Sequence, residues 1–236
     1  MFILGTICCR KGSKGIPGKN LILLNERPLF DYTAETALKC HSINKTIVST
    51  DSEIIAKQAG EQQLTVPFIR PHALASDTAS KWDVFKHALL FFEKSNGLMV
   101  DYLVDMDVTV PLKIPEDVEG AIAMAVSHPE TDVVITAFEP ERNPYFNMME
   151  TDESGRATIV KQPENAITCR QQAPPVFSLS PAAYVIKREA LFRFSHWSKA
   201  DCRLYIMPRE RAVDIDTIDD LNYINYLMRT NESKAF

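Results

Sequence analysis

Residues 2–20 decide the fold: the apolar run Phe2-Ile3-Leu4-Gly5-Thr6-Ile7-Cys8 leads straight into Cys9-Arg10-Lys11-Gly12-Ser13-Lys14-Gly15-Ile16-Pro17-Gly18-Lys19-Asn20. The first part reads as a buried strand. In the second, glycines at 12, 15 and 18 let the backbone approach a ligand and take φ > 0 where a side chain would clash. Arg10, Lys11, Lys14 and Lys19 place four cations among them. Backbone N–H groups with clustered positive charge are what a polyphosphate requires. The stretch is neither a Walker A loop nor a dinucleotide fingerprint, because Pro17 stands five residues after Gly12, Asn20 follows Lys19, and no G-x-G-x-x-G occurs. A basic Gly/Pro surface turn would have the same composition. The position directly after a first strand favours the ligand-binding alternative, since ligands of α/β sheets lie beyond the carboxyl ends of the strands.

Downstream, helix and strand patterns alternate. Residues 25–28 form a turn, after which Leu29, Tyr32, Thr33, Thr36, Ala37 and Cys40 recur at helical spacing. Residues 46–49 are a second strand. The following Ser49-Thr50-Asp51-Ser52 can cap a helix over 53–62 or meet a ligand, and both duties stay open. Residues 65–68, with Pro67, read as an edge strand. Ser80 opens an amphipathic helix with Val84, Phe85, Ala88, Leu89 and Phe92 on one face, and His87 among them reads as a hydrogen-bonded helix histidine. A strand over 102–107, a helix starting at Pro115 and a strand over 133–137 continue the rhythm. Such alternation implies a three-layer α/β/α architecture with a mostly parallel sheet and right-handed crossovers. The rhythm breaks between Phe138 and Ser178, with a turn at 152–155. About 40 residues without a period inside a compact domain read as a lid or interaction arm. Strands at 183–186 and 204–207, a short helix at 188–194 and a last helix burying Leu221, Ile224 and Leu227 complete the chain.

Composition narrows the function. With 236 residues, the chain can build one large α/β domain over 1–236. A net charge of −5 argues against a general nucleic-acid binder, so the basic N-terminal turn is a local feature. No apolar run approaches the ~20 residues of a membrane span, and residues 2–8 lack the form of a secretory leader. The five cysteines, odd in number and without a C-x-x-C pair, argue against a disulfide framework or zinc site and for the reduced cytoplasm.

Two acidic pairs, Asp105/Asp107 and Asp214/Asp216, have the i, i+2 spacing that puts both carboxylates on one face of extended chain. Magnesium serving a triphosphate takes one or two carboxylates, with phosphate oxygens and waters completing its octahedron. Either pair would serve. Asp216 could equally cap a helix, and Asp105/Asp107 could be a solvated strand end. Arg170-Gln171-Gln172 puts a forked guanidinium beside two amides, a set suited to a carboxylate. No Ser/His/Asp order or nucleophilic cysteine stands out.

Together these segments resemble the cytidylyltransferases that activate ulosonic acids, above all the CMP-sialic acid synthetase (acylneuraminate cytidylyltransferase) family. The opening matches a signature of the form A-R-x-G-S-K-G-x-x-x-K-N, here Cys9 to Asn20. Ser49-Thr50-Asp51-Ser52, Arg70-Pro71 followed by Leu74-Ala75-Ser76-Asp77, Thr109 with Pro111-Leu112, Arg170-Gln171-Gln172 and Asp214-Ile215-Asp216 follow in family order. The resemblance implies a CTP-dependent enzyme requiring magnesium (or manganese), with a Rossmann-like fold, usually a homodimer. It implies that Arg10, Gly12, Ser13, Lys14 and Lys19 hold the phosphates and Asn20 the cytidine end, with Arg70, Asp77 and Ser80 closing over the nucleotide. Asp214 and Asp216 match the metal carboxylates, and with Arg10 and Lys14 they make up the catalytic set. Arg170, Gln171 and Tyr184 fall where the family meets the acid sugar. The stretch at about 138–178 corresponds to the arm through which such subunits dimerise, each reaching toward its neighbour's sugar site.

The chain departs from sialic acid enzymes at sugar-side positions. Those enzymes usually read Q-P-T-S-P-L-R where this chain has Asp107-Val108-Thr109-Val110-Pro111-Leu112-Lys113, and N-G where it has Ser180-Pro181. Asp105-x-Asp107, residues 142–147 and Cys169-Arg170-Gln171 look more like the bacterial branch that activates legionaminic acid, a di-amino nonulosonate. Asp107 would then meet an extra N-acyl group or assist the metal. N-acetylneuraminate or 3-deoxy-octulosonate as the acceptor, and a non-catalytic nucleotide-binding protein of the same fold, are the rival readings.

Overall fold

A computed structural model describes residues 1–13, 15–162, 167 and 169–232. The chain runs through β1 (Ile3–Cys8), a hairpin of β2 (Leu23–Leu24) and β3 (Arg27–Pro28), α1 (Leu29–Lys39), β4 (Lys45–Ser49), α2 (Glu53–Glu61) and α3 (Lys81–Asn96). It continues with β5 (Tyr102–Asp105), α4 (Pro115–Ser127), β6 (Val133–Phe138), a second hairpin of β7 (Met149–Thr151) and β8 (Ala157–Ile159), β9 (Ser178–Lys187), α5 (Arg188–Arg193), β10 (Cys202–Ile206) and α6 (Ile218–Glu232).

Six of the strands form one sheet in the order β10-β6-β9-β5-β1-β4. Apolar side chains alternate between its faces as strand geometry requires. Ile3 and Ile7 of β1 and Val104 of β5 join a core with α1, α2, α4 and α6. Leu4 and Leu103 point the other way, into a core with α3 and α5. Three layers result.

The pairs β1/β4, β1/β5 and β6/β10 are parallel, but β9 runs antiparallel to both β5 and β6. Pro181 brings a residue without an N–H into β9, and the β6/β9 register shifts between Ile135 and Ala137. The Thr136 hydroxyl fills that irregularity, 2.7 Å from the Ser180 carbonyl and accepting from the Ala183 N–H at 2.9 Å.

Local chemistry explains the boundaries. Asn25 and Glu26, at φ 49° and 64°, make the left-handed two-residue turn that a tight hairpin prefers. Pro67 prevents the expected strand at 65–68 from forming a ladder, leaving single bridges from Thr65 to Ile47 and from Ile69 to Thr50 beside β4. Ser52 caps α2, accepting from the Ile55 N–H. The arm between β6 and β9 carries the β7–β8 hairpin, whose turn at 152–155 is held by Asp152 Oδ1 and by Gly155 at φ 80°. His87 does not find the expected partner: its Nδ1 is buried without a hydrogen bond, and the ring stands edge-on to Phe68 at 4.6 Å.

Trp82 locks α3 to the end of α5, its buried indole N–H lying 2.8 Å from the Phe194 carbonyl and 3.1 Å from that of Leu191. Replacing Trp82 with Ala should lower unfolding free energy by about 3–5 kcal/mol, read as a shifted urea midpoint at unchanged slope.

Candidate functional site

The carboxyl ends of β1, β4 and β5 open onto two adjoining cavities. After β1, Cys9 extends the ladder by donating to the Ser49 carbonyl at 3.1 Å, and the glycine-punctuated turn follows. Buried Ile16 anchors that turn, and the Asn20 amide staples it by donating to the Arg10 carbonyl at 2.8 Å. Asp51, beyond β4, receives the Lys11 N–H at 2.7 Å. One cavity, of about 290 Å³, is lined by Arg10, Gly12, Ser13, Gly15, Lys19 and Asn20 on this side and by Asp107, Thr109 and Asp216 opposite. Lys14 lies outside the described residues.

The late aspartates meet the turn directly. Lys19 Nζ donates to the Ile215 carbonyl at 2.7 Å and to Asp216 Oδ1 at 2.9 Å. A Cβ on Gly15 would stand 2.3 Å from the Asp216 carbonyl, so only glycine fits there. Asp216 does not cap α6. Thr217 and Asp220 do so reciprocally, the Thr217 N–H reaching Asp220 Oδ2 at 2.8 Å and the Asp220 N–H reaching Thr217 Oγ1 at 3.2 Å. The Asp216 carboxylate is therefore left to Lys19 and solvent, at 72% exposure.

Asp214 is the opposite case: its Oδ1 is buried without a partner. Burial raises its pKa, and the Thr109 hydroxyl and Lys19 only partly offset burial and the charges of Asp107 and Asp216. An orphaned, desolvated carboxylate oxygen beside an exposed carboxylate fits a cation. Among the described residues no cluster of three or more His, Cys, Asp or Glu could hold a metal. A divalent ion here would thus take its remaining ligands from phosphate oxygens and water, as magnesium does.

The second cavity, of about 220 Å³, is lined by Arg10, Arg70, Ser76, Asp77 and Lys81 among others. Arg10 pairs with Asp77 at 2.6 Å. Arg70 is buried and holds the end of β4 through the Ser49 hydroxyl, at 3.0 Å, and the Ser49 carbonyl. Ser80 caps α3, accepting from the Trp82 N–H at 3.2 Å.

Asp105 and Asp107 are no solvated strand end. Asp105 is fully buried, with Oδ1 accepting from Thr6 Oγ1 at 2.9 Å and Oδ2 in ion-pair contact with Lys81 Nζ at 3.2 Å but without a hydrogen bond. Asp107 Oδ2 accepts from Lys81 at 2.8 Å, and Oδ1 accepts from the Thr109 N–H and hydroxyl. Burial pushes the Asp107 pKa up, but Lys81, Thr109 and Lys113 outweigh it and bring it down to about 2. Burial drives the Lys113 pKa down to about 7, against the pull of the nearby carboxylates. Its three N–H groups meet Thr33 Oγ1 and the carbonyls of Asp107 and Val110 at 2.6–2.8 Å. Lys81 escaped the sequence reading, although a lysine at the first helical position, against the helix dipole, was the available signal.

Tyr184 lies under Lys81, its ring centre 5.1 Å from Nζ. Residues Arg170–Gln172 form a short 3-10 turn of the arm, on which Gln171 is exposed and lines neither cavity.

A three-layer sheet with a cationic glycine turn after its first strand, facing an aspartate pair, defines an α/β nucleotidyltransferase. A family model described as cytidylyltransferase matches residues 4–232, and the chain belongs to that family. It is 33% identical over 233 residues to the post-translational flagellin modification protein B of Campylobacter coli, covering 99% of this chain and 97% of that one. It is 32% identical over 226 residues to the CMP-N,N'-diacetyllegionaminic acid synthase of Campylobacter jejuni, covering 96% and 94%. The fold matches a solved CMP:2-keto-3-deoxy-manno-octonic acid synthetase complexed with CTP, at TM-score 0.73 and 17% identity over 98% of this chain and 100% of that one.

Gly15 and Gly12 give a paired test. A Cβ at Gly12 meets nothing within 4 Å. Gly15→Ala should weaken CTP binding about tenfold or more in calorimetry and also lower the melting temperature, because its Cβ meets backbone, whereas Gly12→Ala should melt normally and lose affinity only by crowding the phosphates.

Proposed function

We propose that this cytidylyltransferase moves CMP from CTP to the anomeric hydroxyl of a nonulosonic acid, releasing pyrophosphate, and that the acid is a di-N-acylated one of the legionaminic type. The observation that carries the reading is the contact of Lys19 and Gly15 with Ile215 and Asp216. It gathers the cations Arg10 and Lys19 and the carboxylate of Asp216 in one cavity. The diacetyllegionaminic acid synthase of Campylobacter jejuni, matched over nearly its whole length, supports the acceptor class.

In this reading the hydroxyl oxygen attacks the α-phosphorus in line. The new bond is O–Pα, the broken one runs from Pα to the bridging oxygen, and the hydroxyl proton leaves to solvent. Catalysis is positioning and charge neutralisation. Gly12 and Gly15 let the backbone reach the triphosphate, and Ser13, Lys14 and Lys19 hold its oxygens. Asn20 keeps the turn in shape at the cytidine end. Arg10, oriented by Asp77, takes charge that builds on the pyrophosphate, and Arg70 and Ser80 fix the walls on which both stand. Asp214 and Asp216 would hold magnesium or manganese, which supplies Lewis-acid charge at the phosphates when bound. Asp107, Thr109 and Tyr184 face the acceptor.

One domain spans residues 1–236, with 138–178 as its arm. The exposed Gln171 and the arm's exposed Met148, Met149 and Phe177 support a homodimer in which each arm, with Arg170 and Gln171, completes the neighbour's acceptor site. No helix among the described residues is long and apolar enough to cross a membrane, and the cysteines are free, as suits a cytoplasmic enzyme drawing on CTP.

Pyrophosphate release should require CTP, with UTP, ATP and GTP inactive, and should be fastest with di-N-acylated nonulosonates. Release with none of the acids would overturn the reading. Asp216→Ala should lower kcat about a hundredfold or more with its melting curve unchanged. Near-normal turnover would remove Asp216 from the metal site.

A further inference from the structure

Lys81 opens α3, where the helix dipole disfavours a cation. The chain keeps an ammonium there all the same, reaching Asp107 Oδ2 at 2.8 Å and Asp105 Oδ2 at 3.2 Å over the rings of Tyr184 and Phe85. The pair stands at the joint between the cavities, for Lys81 lines the smaller and Asp107 the larger. Three donors already use Asp107: the Thr109 N–H, the Thr109 hydroxyl and Lys81. A carboxylate offers about four lone-pair positions and, when ionised, donates nothing. Whatever docks against the remaining position must bring an N–H or O–H. Asp105 and Asp107 lie two residues apart on extended chain, so without a cation between them their like charges repel and Asp107 loses its fixed position.

We propose that Lys81 is a specificity-determining positioning residue: by bridging Asp105 and Asp107 it keeps Asp107 a fixed acceptor, which selects acids presenting a hydrogen-bond donor at that point, the amide N–H in a di-N-acylated acid. This rests on the acceptor class given under the proposed function. Lys81 and Asp107 each line a cavity shared with residues assigned to the nucleotide, so KM for CTP is read beside KM for the acid.

The test compares wild type, Lys81→Met and Lys81→Arg in pyrophosphate release, with a di-N-acylated nonulosonate and with 3-deoxy-octulosonate, which carries hydroxyls only. Lys81→Met should raise KM for the diacylated acid about tenfold or more, the scale of a lost charged hydrogen bond. KM for CTP should stay within about twofold, and Lys81→Arg should recover most of the loss. Preference for the diacylated acid should shrink accordingly. Equal losses on both acids, a change confined to CTP, or no change would overturn the inference. Should Lys81→Met fail to fold by circular dichroism, Asp107→Asn carries the same test, since it replaces one acceptor oxygen by a donor. Wild-type protein inactive with every acid overturns the functional reading and the inference with it; an active wild type with an indifferent Lys81→Met overturns the inference alone.

Discussion

The ammonium of Lys19 lies 2.7 Å from the carbonyl of a residue 196 positions further along the chain. That contact fastens the loop after the first strand to the segment preceding the last helix, and the cleft exists because the two are held together. Gly15 makes the approach possible, since any Cβ would collide with the Asp216 backbone. Lys19 also neutralises Asp216 while leaving the carboxylate at the surface. A phosphate chain entering the cleft meets a cation and a carboxylate already arranged, so little order has to be created at the moment of binding.

Behind this surface contact lies a charge system of another kind, with Asp105 and Lys113 buried and Lys81 and Asp107 partly exposed. Asp105, Asp107, Lys81 and Lys113 converge at the end of β5 with their hydrogen-bonding groups largely used. Burying unpaired charge is costly, and pairing with full hydrogen bonding is what makes it tolerable. Lys113 spends its donors on two carbonyls and a hydroxyl, which fixes the path from Asp107 to Val110 and with it the place of Thr109. Thr109 in turn ties this group to Asp214 and, through its carbonyl, to the Ile215 N–H at 2.9 Å. The Asp107 side and the Asp214 side of the cleft are thus joined through one threonine.

Much of this was legible in the sequence. Short apolar runs alternating with amphipathic helices announced the three layers, and the glycine spacing announced the cationic turn. Strand direction was harder to read: residues 178–187 look like any buried strand, and only their pairing shows β9 to be antiparallel. The i, i+2 spacing revealed two acidic pairs but not their surroundings. A lysine 24 positions before Asp105 by sequence number gives no hint that it pairs with both of the first two acids, nor does the spacing show that Asp105 Oδ2 and Asp214 Oδ1 are each left without a hydrogen bond. Arg170 and Gln171 stand on the arm, where the sequence placed them, but side-chain type says nothing about which cavity a loop will face.

The reversed strand fixes where the protein can vary. Because β9 opposes β6, Ser178 pairs with Phe138 at the carboxyl end of β6. The chain between them leaves and returns at the same rim, beside the mouth of the cleft. Had β9 run the other way, those residues would have had to span the molecule as a crossover, and their length would have been set by its thickness. As built, the segment is a loop pinned at both ends to one edge. Lengthening, trimming or exchanging it would reshape the entrance without disturbing the layers beneath, which makes this rim the natural place for descendants of one scaffold to acquire different tastes in sugar.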